Sequence, residues 1–143
     1  MLRLLIGGDY LGFVILGVVL AISIALHEFG HAIAADALGD PTPRVQGRIT
    51  LNPLRHLDPL GTFMLVLAGF GWGKPVEFSL QNLRNRRTGP ALIALAGPAM
   101  NVLLAFCAVG LLWALRPSGP GVATLFINQL LFLNLLLAVF NLI

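Results

Sequence analysis

The residues of this 143-residue chain whose types and spacing could do chemistry form the motif His27-Glu28-Phe29-Gly30-His31. On an α-helix, residues four apart lie on one face about one turn from each other, so His27 and His31 can present ring nitrogens to one metal ion. Glu28 lies beside them, where its carboxylate can take a proton from a metal-activated water. A histidine pair suits Zn²⁺, which polarises carbonyl groups and acidifies water. We therefore predict zinc ligands at His27 and His31, a catalytic base at Glu28, and peptide hydrolysis as the chemistry.

The same motif can also arise by chance, and a single histidine in a helix is commonly a hydrogen-bonded structural residue. Here two of the three histidines in the chain fall at ligand spacing around a glutamate, within a long apolar run. Ionisable side chains at the centre of a membrane helix cost about 2.5 to 3.5 kcal/mol each and usually mark function. The spacing and this cost together favour the metal site.

The composition places these residues in a membrane protein. Hydrophobic residues make up 57% of the chain and charged residues only 10%, whereas charged residues are about 25% of a soluble globular protein. The mean hydropathy is +0.89. The basic residues flank apolar runs and form no stripe interleaved with aromatic side chains, so the net charge of +3 does not indicate a nucleic-acid partner. We predict an all-α integral membrane protein in contact with the lipid bilayer.

Three apolar runs are long enough to cross a bilayer, which takes about 20 helical residues. We predict transmembrane helices over about 11–38, 89–115 and 122–143. A fourth apolar run, about 60–72, is too short to span, and we interpret it as a re-entrant or interfacial hairpin. We expect all four to form one membrane-embedded domain over residues 1–143.

The distribution of the basic residues predicts the orientation in the membrane. Seven of the nine Lys and Arg residues lie in the loop 39–88. Short loops rich in Lys and Arg face the cytoplasm. We therefore predict a multi-pass protein of the cell membrane with the loop 39–88 in the cytoplasm and the N-terminus outside.

With these features in place, the chain resembles the site-2 protease family of intramembrane zinc metalloproteases, in particular the compact prokaryotic branch without a PDZ domain. The resemblance implies His27 and His31 as zinc ligands and Glu28 as the catalytic base. It also implies Asn101 as a polar contact near the substrate or the active site, and membrane proteins with transmembrane helices as substrates. Four motifs carry it in order: HEFGH at 27–31, LNPLRHLDPLGT at 51–62, GWGKPV at 71–76 and GPAMN at 97–101.

The resemblance also implies a third zinc ligand that these residues do not supply. The family takes this ligand from the aspartate of an NxxPxPxLDG-like motif, and Asn141-Leu142-Ile143 stands where that motif would begin. We therefore expect the ligand beyond Ile143, interpret the chain as C-terminally incomplete, and expect these residues alone to hold zinc weakly. Asp36 is about 180° from His27 around the helix, whereas His56 and Asp58 could fold back as ligands.

Two other functions remain open beside proteolysis. One is a non-catalytic adaptor, related to the protease, that binds membrane helices. The other is a metal carrier that uses His27 and His31 as a transit site. Only the protease requires a base at Glu28, so replacing that residue separates it from the other two. The carrier differs from the adaptor in moving metal in a way that depends on both histidines. Gly97 and Asn101, around the proline of the second span, serve either helix packing or the site.

Overall fold

The computed structural model describes residues 1–68, 71–117 and 119–142. Residues 69, 70 and 143, on which parts of the predicted hairpin and third span fall, lie outside the described residues. In the described ranges the chain forms six α-helices and no β-strand. The helices are α1 (Leu2–Ile6), α2 (Tyr10–Ala37), α3 (Thr42–Val45), α4 (Pro59–Ala68), α5 (Gly89–Leu115) and α6 (Val122–Phe140).

Helices α2, α5 and α6 are long and apolar enough to cross a membrane. The 28 residues of α2 extend about 42 Å at about 1.5 Å per residue, which exceeds the hydrocarbon thickness of a bilayer. The predicted spans at 11–38, 89–115 and 122–143 correspond to these three helices within a few residues. The all-α membrane fold class is therefore confirmed.

The three long helices pack against one another and bury a shared core. Val19 of α2 lies in one buried cluster with Ala108 of α5 and Leu130 of α6. Further along α2, Ala35 packs with Ile93 of α5. From the first cluster to the second, the residue number increases along α2 and decreases along α5. These two helices are therefore antiparallel.

Small residues bring α2 and α5 close together beside the HEFGH motif. A Cβ atom on Gly30 of α2 would overlap the carbonyl oxygen of Ala96 and the side chain of Met100. Pro98 lies inside α5, which nevertheless runs without interruption from Gly89 to Leu115. Because Gly30 permits this approach, the segment of α5 around Pro98 lies directly against the two motif histidines.

Helix α4 is too short to span the membrane. Its ten residues extend about 15 Å, which is half the thickness of the bilayer core. Gly71 then lies against Gly61 of α4, and Gly73 pairs with Leu57, just before α4 begins, through an isolated antiparallel bridge. Residues 71 and 73 thus lie beside the start of α4, an arrangement compatible with the hairpin expected at about 60–72.

Candidate metal centre

Two imidazoles and a carboxylate meet on one face of α2. The Nε2 atoms of His27 and His31 lie 3.0 Å apart. The ligand atoms of His27, Glu28 and His31 all lie within 4.8 Å of one another. Across the described ranges, no other group of three His, Cys, Asp or Glu side chains is drawn together in this way. The structure thus brings together the three residues that the sequence predicts as ligands and base.

A backbone carbonyl determines which ring nitrogen of His31 carries the hydrogen. Nδ1 of His31 lies 2.7 Å from the carbonyl oxygen of Ile93 on α5. A carbonyl oxygen can only accept a hydrogen bond, so Nδ1 carries the hydrogen and donates it. In the neutral ring Nε2 then keeps its lone pair, which is the form that binds a metal.

A pair of asparagines determines which ring nitrogen of His27 carries the hydrogen. Nδ1 of His27 contacts Oδ1 of Asn101, while Nδ2 of Asn101 donates to Oδ1 of Asn134 on α6 at 2.7 Å. Because the amide nitrogen of Asn101 is turned toward Asn134, its oxygen faces His27 and accepts the hydrogen of Nδ1. Nε2 of His27 therefore also carries a lone pair.

These residues fit a zinc ion. The two Nε2 atoms lie 3.0 Å apart, and their lone pairs repel each other unless a cation lies between them. Two nitrogens that each lie about 2.0–2.1 Å from one zinc ion can have this separation. Gly97 adds a second observation, because a Cβ atom at this position would overlap the Nε2 atoms of both His27 and His31. The missing side chain leaves space beside both lone pairs.

An extended stretch of chain, the 71–79 segment, crosses the site beside Glu28. The backbone nitrogen of Val76 donates to Oε2 of Glu28 at 3.2 Å. A Cβ atom on Gly73 would lie within contact distance of Cγ of Glu28. The carboxylate is thus oriented by the backbone of a segment that begins more than forty residues after it in the sequence.

A buried guanidinium holds the 71–79 segment in place. Arg48 is only 6% exposed, and it donates to the carbonyl oxygens of Arg55 at 2.6 Å, Lys74 at 3.4 Å and Pro75 at 3.3 Å. The backbone nitrogen of Lys74 donates to the carbonyl oxygen of His56 at 2.6 Å. Arg48 therefore connects the segment that touches Glu28 to the loop before α4.

Asp40 fixes the far end of the same segment to the end of α2. Its buried carboxylate accepts hydrogen bonds from the Thr42 hydroxyl at 2.6 Å, the Asn82 amide at 2.9 Å and the Ser79 backbone nitrogen. Burial alone would raise the pKa of Asp40, but these hydrogen bonds outweigh it and hold the pKa at about 2. The side chain is thus an anionic hub between α2 and residues 79–82.

The other side chains considered as a third ligand lie elsewhere. His56 is fully buried, and its Nε2 donates to the carbonyl oxygen of Thr50 at 2.8 Å. Oδ1 of Asp58 accepts from the backbone nitrogen of Gly61 at 2.7 Å. Asp36 forms a surface ion pair with Arg44. Burial lowers the pKa of His56; the hydrogen bond to Thr50 opposes this effect, and the charge of Arg48 adds to it.

A cavity of about 500 Å³ opens beside His27 and Glu28. Its lining is mostly apolar and comes from α2, the α4 hairpin and α6. A cavity of this size and character is typical of a site that receives apolar side chains next to a few polar groups. Besides the two motif residues, it is lined by residues that include Leu20, Ile24, Leu65, Trp72, Leu133, Leu137 and Asn141.

The roles of some site residues could not be predicted from the sequence. Asn101 is fully buried and contacts His27 and Asn134, so its implied contact with the substrate stays a prediction. The sequence assigns no role to Ser23, Asn134 or the backbone of Val76. The available signal was polarity, because Ser23 lies one helical turn before His27 and Asn134 lies within a run of leucines.

Residues 15–119 match the sequence model of peptidase family M50, the family of the site-2 proteases. The chain belongs to this family. The resemblance that the four sequence motifs indicate is thereby confirmed. Among solved structures, none gives a significant match to this M50 chain.

Curated relatives of this M50 chain carry zinc metalloprotease names. The predicted zinc metalloprotease YwhC of Bacillus subtilis is 38% identical over 133 residues, which cover 88% of this chain and 61% of that protein. The predicted zinc metalloprotease Rip2 of Mycolicibacterium smegmatis is 40% identical over 93 residues, or 62% of this chain and 36% of that protein. Its namesake in Mycobacterium tuberculosis is 41% identical over 91 residues. The chain thus spans between about a third and three fifths of the length of these relatives.

Proposed function

We propose that the protein is an intramembrane zinc metalloendopeptidase that cuts peptide bonds in or near the transmembrane segments of other membrane proteins, and so serves regulated intramembrane proteolysis. One observation carries the proposal: the Nε2 lone pairs of His27 and His31 converge beside Glu28 on a helix long enough to span a membrane. The zinc metalloprotease names of the relatives support the same chemistry.

His27 and His31 would hold the zinc ion, and Glu28 would act on water. When bound, zinc supplies a Lewis acid that polarises a peptide carbonyl and makes a nearby water acidic. Glu28 is placed to take the proton of that water, and the same carboxylate can deliver it to the departing amide nitrogen. The backbone nitrogen of Val76 keeps one carboxylate oxygen oriented during these transfers.

The substrate we propose is a locally unwound part of a membrane helix. Backbone amides of an intact helix are already hydrogen-bonded, so the scissile carbonyl becomes available only after local unwinding. The apolar cavity beside His27 and Glu28 can receive side chains of the unwound stretch, since its lining comes from three membrane-embedded elements. Asn101 contributes through His27 in this proposal.

The orientation and the third ligand are also proposals. We place the protein in the cell membrane with the basic loop 39–88 in the cytoplasm, as its seven Lys and Arg residues favour. The aspartate expected beyond Ile143 stays a prediction. Asn141 lines the cavity together with His27, which is compatible with a ligand supplied from the same end of α6.

The test is cleavage by the full-length protein in lipid vesicles. Single-span membrane peptides of varied sequence are reconstituted with it, and products are identified by mass spectrometry. We expect Glu28→Gln to lower cleavage by about 10²- to 10⁴-fold, the usual contribution of a general base, while bound zinc is retained. Asp36→Asn makes the same acid-to-amide change on the same helix, in a surface ion pair, and should leave cleavage unchanged.

Each rival function predicts a different result in these vesicles. An adaptor shows no cleavage products and binds membrane peptides equally well with Glu28→Gln. A metal carrier moves zinc across the vesicle membrane in a way that needs both histidines and tolerates Glu28→Gln. Either result, or a full-length protein that binds no zinc, contradicts the proposed peptidase.

A further inference from the structure

A chain of polar side chains runs from the metal centre through the middle of the three long helices. Ser23 of α2, Asn101 of α5 and Asn134 of α6 are each 0% exposed. Polar groups in such a setting are costly unless their hydrogen bonds are satisfied. These three side chains are here called the amide relay.

Backbone carbonyls set the direction of every hydrogen bond in the amide relay. Nδ2 of Asn134 donates to the carbonyl oxygen of Leu130 at 2.8 Å and to Oγ of Ser23 at 2.9 Å. Because a carbonyl oxygen accepts only, this contact fixes which end of the Asn134 amide is the nitrogen. Oδ1 of Asn134 therefore faces Asn101 and accepts from its Nδ2. Asn101 is left with an oxygen toward His27.

Ser23 closes the relay at its other end. Its hydroxyl donates to the carbonyl oxygen of Val19 at 2.8 Å, one turn earlier in α2. The hydroxyl hydrogen is thus engaged, and the oxygen is available to accept from Asn134. Ser23 and His27 lie on the same face of α2, so the relay begins and ends on the helix that carries the metal ligands.

We propose that Asn134, supported by Ser23, is a positioning residue that keeps the hydrogen of His27 on Nδ1 and so leaves Nε2 free to bind the metal. This inference rests on the proposed zinc site. Without the oxygen of Asn134, the Asn101 amide can turn over and present its nitrogen to His27. Nδ1 must then accept, the hydrogen moves to Nε2, and the atom that faces His31 can no longer be a ligand.

The test measures the position of the ring hydrogen and the affinity for zinc separately. Full-length protein with ¹⁵N-labelled histidine is prepared metal-free in detergent micelles, and nitrogen chemical shifts report which atom of His27 carries the hydrogen. In the wild type we expect it on Nδ1. Asn134→Leu, which keeps the side-chain volume, should move it partly to Nε2 and weaken Zn²⁺ binding by about 10- to 100-fold. Asn128→Leu makes the same change at an exposed site of α6 and should alter neither.

A second background separates positioning from a merely structural role. In Asn101→Asp, either carboxylate oxygen can accept from His27, so the orientation of residue 101 no longer depends on Asn134. We expect Asn134→Leu to have no effect on the ring hydrogen in that background and to change zinc affinity less than about threefold. A purely structural role of Asn134 would instead weaken zinc binding equally in both backgrounds.

The outcomes are decisive for the relay and distinct from those for the peptidase. Asn134→Leu with the hydrogen of His27 still on Nδ1 and unchanged zinc affinity overturns the inference. Should this variant fail to fold by circular dichroism, Asn134→Ala takes its place with the same expected and contradicting results. The ring hydrogen is read without metal or substrate, so a normal relay in a protein that cleaves nothing would contradict only the proposed function.

Discussion

Gly97 of α5 lies directly against Nε2 of His31, at a position where any side chain would overlap the imidazole. A glycine in a membrane helix is usually explained by close helix packing. Here its lack of a Cβ atom also leaves space in front of Nε2 of His31, which we propose as a zinc ligand. We propose that Gly97 serves both of the roles that the sequence left as alternatives, helix packing and the site.

Gly97→Ala should weaken zinc binding while the helices remain assembled. The added methyl group would occupy the space beside both Nε2 atoms, so we expect zinc affinity to fall at least about 10-fold. The measurement is competition with a chromophoric chelator. Gly110→Ala is the matched control, because a Cβ atom at Gly110 of the same helix meets no other atom within 4 Å. Equal zinc affinity in the two variants would contradict this role of Gly97.

Arg48→Met should slow peptide cleavage without loss of zinc. The guanidinium holds the carbonyls of Lys74 and Pro75, and the next residue, Val76, donates to Glu28. A shift of about 1 Å in this contact can cost on the order of 10²-fold in rate. Cleavage rate and zinc content are measured on the same preparation. Arg44→Met removes an exposed arginine of a surface ion pair, and its cleavage rate should match the wild type.

Asp40→Ala should lower the free energy of unfolding by about 3 kcal/mol, because it removes a buried charged acceptor that several hydrogen-bond donors share. Unfolding in detergent micelles by increasing denaturant measures this change. Asp36→Ala removes the acid of a surface ion pair and should lower the free energy of unfolding much less, because solvent screens exposed pairs. Similar losses of unfolding free energy in the two variants would contradict this role of Asp40.

The stabilisation by Asp40 should also depend on pH in a defined direction. Folding lowers the pKa of this carboxyl from 3.8 to about 2, so the unfolded chain binds its proton at higher pH than the folded protein does. The contribution is fully present above about pH 4 and is lost as the pH falls toward about 2. The difference in unfolding free energy between wild type and Asp40→Ala should therefore narrow only below pH 4.

The sequence predicts those parts of the site that one helix determines. His27 and His31 meet because α-helical geometry fixes the neighbours at four-residue spacing, and the apolar runs mark the three long helices. The length of the apolar run at α4 indicates that this helix is too short to span. These predictions need no knowledge of how the helices pack.

The parts that depend on helix register or loop backbone were not predictable from one sequence. Asn134 reaches Asn101 only because α5 and α6 pack in one particular register. The contact of Val76 with Glu28 uses a backbone nitrogen, which has no residue-type signature. Asp40 reads as part of a turn after the first span, and only the fold shows that Thr42, Ser79 and Asn82 converge on it.

The amide relay also bears on biogenesis. The ribosome delivers α6 last of the three long helices, and Asn134 is the residue of α6 that orients the Asn101 amide toward His27. A nascent chain with only α2 and α5 in the bilayer has both imidazoles but lacks the group that prepares one of them. Metal loading should therefore follow insertion of α6, and under the proposed function a half-made chain would not yet expose a hydrolytic centre to neighbouring membrane proteins.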